Sequence, residues 1–178
     1  VDNVLIDGND FRYQKDTTSL IARVGLDINN TAGNNLACYE ITNNRFRHAS
    51  VVTNDVRIKG ASITTSQVVV KISGNSFGCD RNDLAKNGVN DPVTTACIKL
   101  DLIKMHGSIT NNIFAAPSTG AGFFETITAC LDISTASTPV NSDIKIFGNH
   151  SSVPATGFGI ITNLIEPYQS DVVGVMAN

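Results

Sequence analysis

No stretch of this chain comes near the run of about 20 apolar residues that a membrane-spanning helix needs. Basic residues are not concentrated anywhere either: the 178 residues hold 13 Lys and Arg against 16 Asp and Glu, a net charge of −3. The first absence argues against membrane insertion and the second against a nucleic-acid partner. Cys38, Cys79, Cys97 and Cys130 lack the close pairing of a zinc site, so buried thiols packed as small hydrophobes are expected, with no metal and no cofactor. Apolar spacing of three and four residues is nearly missing, while β-branched residues dominate, which argues against helices. No signal-peptide pattern and no initiating Met open the chain, and Val1 already lies close to a strand. The expectation is a single domain over residues 1–178, belonging to a longer polypeptide. Its 42% hydrophobic and 16% charged content is that of a globular chain.

What the chain does have is an eight-residue sentence written five times: VLIDGNDF (Val4–Phe11), YEITNNRF (Tyr39–Phe46), VKISGNSF (Val70–Phe77), GSITNNIF (Gly107–Phe114) and IKIFGNHS (Ile144–Ser151). The third position is Ile in each copy (Ile6, Ile41, Ile72, Ile109, Ile146). The fifth is Gly or Asn. The sixth is always Asn (Asn9, Asn44, Asn75, Asn112, Asn149), at spacings of 35, 31, 37 and 37 residues. Positions one and three lie two apart, so they share a strand face and point inward, while positions two and four point out. Gly or Asn at position five suits a residue with positive φ. The Asn that follows bonds backbone in a tight turn, and stacked on its equivalents it bonds the Asn above and below. Phe at position eight returns to the core; the last copy has Ser151 there instead.

A weaker series alternates with the first: VGLDI (Val24–Ile28), DVRIK (Asp55–Lys59), CIKLDL (Cys97–Leu102), CLDIS (Cys130–Ser134) and GIITNL (Gly159–Leu164). TACIKL at Thr95–Leu100 and TACLDI at Thr128–Ile133 align without a gap. The longest variable loops are expected at Gly78–Ala96 and Ala115–Ala129. A single-stranded parallel β-helix accounts for all of this: each repeat is one coil, identical positions stack at ~4.8 Å, and each coil buries its inward row only against its neighbours. Five coils with an asparagine ladder are expected. Over nearly the whole chain the pattern resembles the right-handed, pectate-lyase-like β-helix proteins, and its coil lengths and long loops look most like bacteriophage tailspikes and polysaccharide depolymerases. That resemblance implies a homotrimer, a place on the virion tail after synthesis in the host cytoplasm, and a bacterial surface polysaccharide as partner. The segment 165–178 is expected to form a C-terminal cap or tail.

Function then falls to outward positions and loops. In the second series the outward residues up the stack are Asp27, Arg57, Lys99 and Asp132, followed two positions on by Asn29, Lys59, Asp101 and Ser134. As a structural device this is a mixed-charge ladder whose complementary neighbours specify register. As chemistry, Asp101 and Asp132 lie diagonally across adjacent coils, roughly 7–8 Å apart by strand geometry. Inverting glycosidases set two carboxylates about 6.5–9.5 Å apart, one as acid and one as base. Lys59 and Lys99 beside them oppose an acid role, because a neighbouring cation favours the ionised carboxylate. Glu125 is a third carboxylate entering from the preceding loop. Phe123 and Phe124 beside it are candidates to stack on sugar rings, and Arg57, Lys59 and Lys99 to bind substrate. RIK at Arg57–Lys59 resembles a polygalacturonase signature, but the other elements of that signature are missing. Asp101 and Asp132 alone, with lysines alongside, make a poor calcium site. His48, His106 and His150 occupy different repeat positions and are not expected to act together. The sequons at Asn29 and Asn149 are formal, the second falling on a ladder residue.

Two functions follow as expectations. One is polysaccharide recognition with depolymerisation, by hydrolysis or elimination. The other is a non-catalytic β-helix shaft or adhesin-like module that presents loops or holds a trimer. They part on whether the charge ladder is satisfied within the stack.

Overall fold

In the computed structural model, residues 3–12, 23–30, 36–48, 52–60, 67–79, 93–101, 105–115, 126–134, 143–151 and 159–162 are described. Among them every regular element is a strand and every strand pairing is parallel. The described residues are therefore all-β, in parallel sheets. The five copies of the repeated sentence supply β1 (Asn3–Asp7), β4 (Leu36–Thr42), β7 (Gln67–Ser73), β10 (Met105–Thr110) and β13 (Asp143–Phe147), which form one sheet in that order. Past the turn, the Phe segments form a second sheet: β2 (Asp10–Arg12), β5 (Arg45–His48), β8 (Ser76–Cys79), β11 (Ile113–Ala115) and β14 (His150–Ser151). The weaker series forms the third: β3 (Arg23–Asn30), β6 (Val52–Gly60), β9 (Val93–Asp101), β12 (Thr126–Ser134) and β15 (Gly159–Thr162). Each repeat thus gives one strand to each sheet in an unchanging order, and the register keeps like positions together, with Ile6 beside Ile41, Ile41 beside Ile72, Ile72 beside Ile109 and Ile109 beside Ile146.

The turn between the first two sheets has the conformation that its residue types favour. Gly8, Asn43, Gly74, Asn111 and Gly148 all have φ between 55° and 69°. That left-handed conformation costs an ordinary L-residue roughly 1–2 kcal/mol, and Gly and Asn least. A Cβ at Gly8 would meet nothing within 4 Å, so its substitution reads out backbone strain alone. Gly8→Ala is expected to cost about 1 kcal/mol, and Gly8→Asn less, since Asn43 and Asn111 already occupy this position. Urea unfolding of the two variants checks the ranking.

Behind the turn, each Asn joins its rung to the next. Asn44 accepts at Oδ1 from the backbone N–H of Asn9 (2.9 Å) and from Asn9 Nδ2 (3.1 Å), while its own Nδ2 donates to the carbonyl of Ile6 (2.9 Å) and to Asn75 Oδ1 (3.1 Å). The same set recurs from Asn44 to Asn75, Asn75 to Asn112 and Asn112 to Asn149. Asn44, Asn75 and Asn112 are almost wholly buried. Because every buried amide hydrogen-bonds along the column, the cost of desolvating it is offset and the ladder fixes register. Next to it Phe11, Phe46, Phe77 and Phe114 stack face to face, with centroids 4.7, 4.9 and 5.0 Å apart. The core is built from these two columns, the Ile column, and the inward rows of the third sheet, which include Val56, Ile98 and Leu131 and Ile58, Leu100 and Ile133.

The loops expected at Gly78–Ala96 and Ala115–Ala129 are shorter than the sequence pattern indicates, because β8 runs to Cys79, β9 starts at Val93, β11 includes Ala115 and β12 starts at Thr126. Those extensions are held by backbone pairing, which leaves no mark in side-chain pattern. Cys38 is half-buried, Cys97 and Cys130 are fully buried, and none of the three is in a disulfide. The proposed cap at 165–178 lies outside the described residues.

Candidate functional site

The outward face of the third sheet carries the charge rows that the second series lays down. Strand alternation sends Leu26 and Ile28 of β3 and their equivalents inward and leaves the residue between them outside. The register aligns Asp27 with Arg57, Arg57 with Lys99 and Lys99 with Asp132. In the parallel row Asn29 stands beside Lys59, and Lys59 beside Asp101. Asp101 and Asp132 therefore occupy adjacent strands, offset diagonally, as the pattern implied.

Two ion pairs close this ladder along the stack. The Arg57 guanidinium grips the Asp27 carboxylate with two of its three nitrogens, Nε donating to Oδ1 at 2.9 Å and Nη2 to Oδ2. Lys99 Nζ donates to Asp132 Oδ2 at 2.6 Å, and both of these side chains are largely shielded, at 24% and 19% exposure. The hydrogen bond from Arg57 holds the Asp27 carboxyl below its usual range against the opposing effect of burial, with weaker help from the charges of Arg57 and Lys59. The same bond raises the Arg57 guanidinium. A similar pair on the first sheet joins Lys71 Nζ to Glu40 at 3.3 Å, and on the second Arg47 meets Asp10 at 2.7 Å.

A pH dependence follows with a definite sign. Asp27 is more acidic folded than unfolded, so its contribution is complete above its unfolded value and disappears as pH falls through the folded one. Its side chain is 40% exposed, so solvent screening limits the pair to less than about 1 kcal/mol. Tm should therefore fall on acidification below about pH 4, and Asp27→Asn should flatten that limb while leaving neutral-pH unfolding within roughly 1 kcal/mol of the parent. An acid limb unchanged in the Asn variant would assign it to other carboxylates.

Of the remaining candidates, Phe123, Phe124 and Glu125 lie outside the described residues. The histidines stand apart: His106 is half-buried on β10 and His150 exposed on β14, while the side chain of His48 lies outside the described residues. No group of three or more His, Cys, Asp or Glu side chains suited to a metal ion occurs among the described residues. Asn149 uses its Nδ2 on the carbonyls of Ile109 (2.8 Å) and Phe147 (3.3 Å), so the nitrogen of that sequon is engaged in the ladder.

Two polar residues of β6 escaped sequence reasoning. Asn54 is buried on the inward side and donates from Nδ2 to the Ala96 carbonyl at 3.0 Å. Asp55 is fully buried although it lies on the outward alternation, in the row that leads to the equally buried Cys97 and Cys130. A signal existed in the alignment: Asp55 shares its position with two small, weakly polar cysteines, whereas Arg57 shares its own with charged residues. Sequence alternation reports which way a side chain points, not whether something lies over it. Comparison with protein families, with curated proteins and with solved structures finds no match.

Proposed function

We propose that the three sheets are the faces of a right-handed parallel β-helix of five coils, and that the chain is part of a tailspike-like protein recognising a bacterial surface polysaccharide. The observation that carries this reading is the pair of in-register outward rows on the third sheet. They set charged and amide groups at strand spacing, ~4.8 Å, along one face of the sheet. Hydroxyl-rich, intermittently charged glycans match such a face, offering acceptors to Arg57, Lys59 and Lys99 and donors to Asp101 and Asn29. In this reading the assembly is a homotrimer on the phage tail. Among the described residues, Leu5, Ile113 and Phe147, exposed at 69%, 49% and 47%, are apolar side chains available to subunit contacts.

Binding without turnover is favoured over cleavage by the ion pairs. Asp132 is bonded to Lys99 and Asp27 to Arg57, so the ladder is largely satisfied within the stack, as a shaft or carbohydrate-binding module requires. Depolymerisation is the second reading, supported by the diagonal placement of Asp101 and Asp132, with Glu125 as a third carboxylate and Phe123 and Phe124 as a sugar platform. Incubating the protein with capsular or O-antigen polysaccharide, and following new reducing ends and unsaturated products, separates the two. The favoured outcome is glycan binding with no new ends. If ends do form, Asp101→Asn with Asp132→Asn should lower the rate at least 100-fold, the lower bound for a lost general acid–base pair. An unchanged rate would move the chemistry off this face, and absence of any glycan binding would leave a pure shaft.

A further inference from the structure

The two ends of the stack are unequal. At the β13 end, Ile144 and Ile146 sit on the last strand of their sheet and are still buried, at 0% and 4% exposure. At the other end β1, β2 and β3 are each outermost in their sheets, and Val4, Ile6, Phe11, Leu26 and Ile28 are only partly covered. The ladder is equally one-sided there. Asn9 is exposed, and among the described residues nothing donates to its Oδ1, the atom that in Asn44, Asn75, Asn112 and Asn149 accepts two bonds from the rung before. Phe11 stacks on Phe46 and turns its other face outward from the column.

We infer that the β1–β2–β3 end is a docking surface for one further polypeptide rung of the same eight-residue sentence, added as parallel strands in register. The bonds between existing rungs dictate what the incoming rung must bring. The N–H at position seven bonds the preceding carbonyl at position six, as Arg45 does to Asn9, Ser76 to Asn44 and Ile113 to Asn75; at the open end that donor is Asp10. The N–H at position five bonds the following carbonyl at position four, as Gly8 does to Thr42, so Asp7 offers the matching acceptor. Asn at position six would give its N–H and Nδ2 to Asn9 Oδ1, and Phe at position eight would cover Phe11.

Charge agrees with shape. Asp7, Asp10 and Asp27 place a carboxylate on each outermost strand. Each of the three is already bonded to the following rung, Asp7 by Thr42 and Asn43 (2.6 and 2.9 Å), Asp10 by Arg47 and Asp27 by Arg57, and each carboxylate keeps further acceptor sites. Acidic edges of this kind repel random strand pairing and select partners with hydroxyl, amide and basic side chains at the facing positions. The recognition is strand addition, in which main-chain bonds give affinity and alternate side chains give specificity.

The test uses the whole chain and a peptide of the sentence YEITNNRFR, residues 39–47, whose Thr42 and Arg45 would face Asp7 and Asp10. The expected result at millimolar peptide is a set of NMR shifts confined to β1 and β2, centred on the Asn9 side-chain amide, the Asp10 N–H and the Phe11 ring. Peptides carrying N44A or F46A should bind about tenfold more weakly, equivalent to the loss of one good contact. Asn9→Ala in the protein should weaken binding by a similar factor, and Lys145→Ala on β13 should not. Equal shifts from a scrambled peptide, no shifts at all, or shifts on β13 would overturn the inference. So would concentration-dependent dimerisation of the chain through β1, seen by sedimentation, which would make a second copy the occupant.

Discussion

Gly107→Ala should be among the most damaging single methyl additions in the molecule, costing about 4 kcal/mol, from left-handed backbone strain of roughly 1–3 kcal/mol and overpacking of a similar size. Gly107 takes position one of the fourth copy, where the others have Val4, Tyr39, Val70 and Ile144. Its φ is +134°, a conformation that L side chains rarely adopt. An added Cβ would lie 2.8 Å from the Val70 carbonyl carbon and 3.0 Å from the Val70 nitrogen, and closer still to the carbonyl oxygen. These are backbone atoms of the paired strand β7, so no rotamer change relieves the clash; either β7 or β10 must leave the ladder. The contrast is Gly74, where an added Cβ meets the side-chain Oδ1 of Asn43 at 2.7 Å, an exposed group that can turn away. Urea unfolding at constant m should rank Gly107→Ala far below Gly74→Ala, and Gly8→Ala least affected. Equal losses at all three positions would mean that φ alone decides and that the approach to Val70 relaxes freely.

Gly107 also marks where sequence reading reaches its limit. The sheet memberships were legible because the copies share Ile, Asn and Phe at fixed spacing, and each of those residues has a stacking reason to recur. The left-handed turn was legible because only Gly and Asn appear at position five. The row of Asp27, Arg57, Lys99 and Asp132 was legible from alternation, and the register places those residues side by side. What could not be read was the exception inside a copy. Gly107 looks like a weak apolar position, yet its backbone departs from the strand geometry of its neighbours. Asp55 looks like the first outward charge of its strand and is wholly buried. Each depends on what lies over or beside one residue, which a repeat average erases. The candidate site was legible to the same depth: alternation placed the carboxylates, while the tightness of the Arg57–Asp27 and Lys99–Asp132 pairs is a matter of side-chain geometry.

The interior of the asparagine ladder is where a small polar deletion should act like the loss of a large core residue. Asn75→Ala removes the acceptor for the Asn44 N–H (2.9 Å) and Asn44 Nδ2 (3.1 Å), and the donor to the Ile41 carbonyl (2.8 Å) and to Asn112 Oδ1 (3.0 Å). Asn44 Nδ2 retains the Ile6 carbonyl and Asn112 Oδ1 retains the Asn75 N–H, so the groups left without a side-chain partner are the Asn44 N–H and the Ile41 carbonyl. With Asn44 and Asn75 both at 1% exposure, water does not reach these groups without opening the stack. Unsatisfied buried groups cost about 1–3 kcal/mol each, and the truncated side chain leaves a small cavity besides, so a loss of about 4 kcal/mol is expected. Asn9→Ala removes chemically the same side chain from the exposed outer rung, where water replaces its bonds, and should cost about 1 kcal/mol. The ratio between the two, read from urea midpoints, measures how much of the ladder's contribution comes from burial. Similar losses at Asn9 and Asn75 would place that contribution in the local turn alone, since both residues follow a left-handed Gly, Gly8 and Gly74. Substitution by Asp sharpens the distinction. Asn75→Asp keeps an acceptor for Asn44 but brings a buried carboxylate against the Ile41 carbonyl and Asn112 Oδ1, so it should be at least as damaging as alanine at neutral pH and recover in part on acidification. Asn9→Asp, open to solvent, should show neither effect.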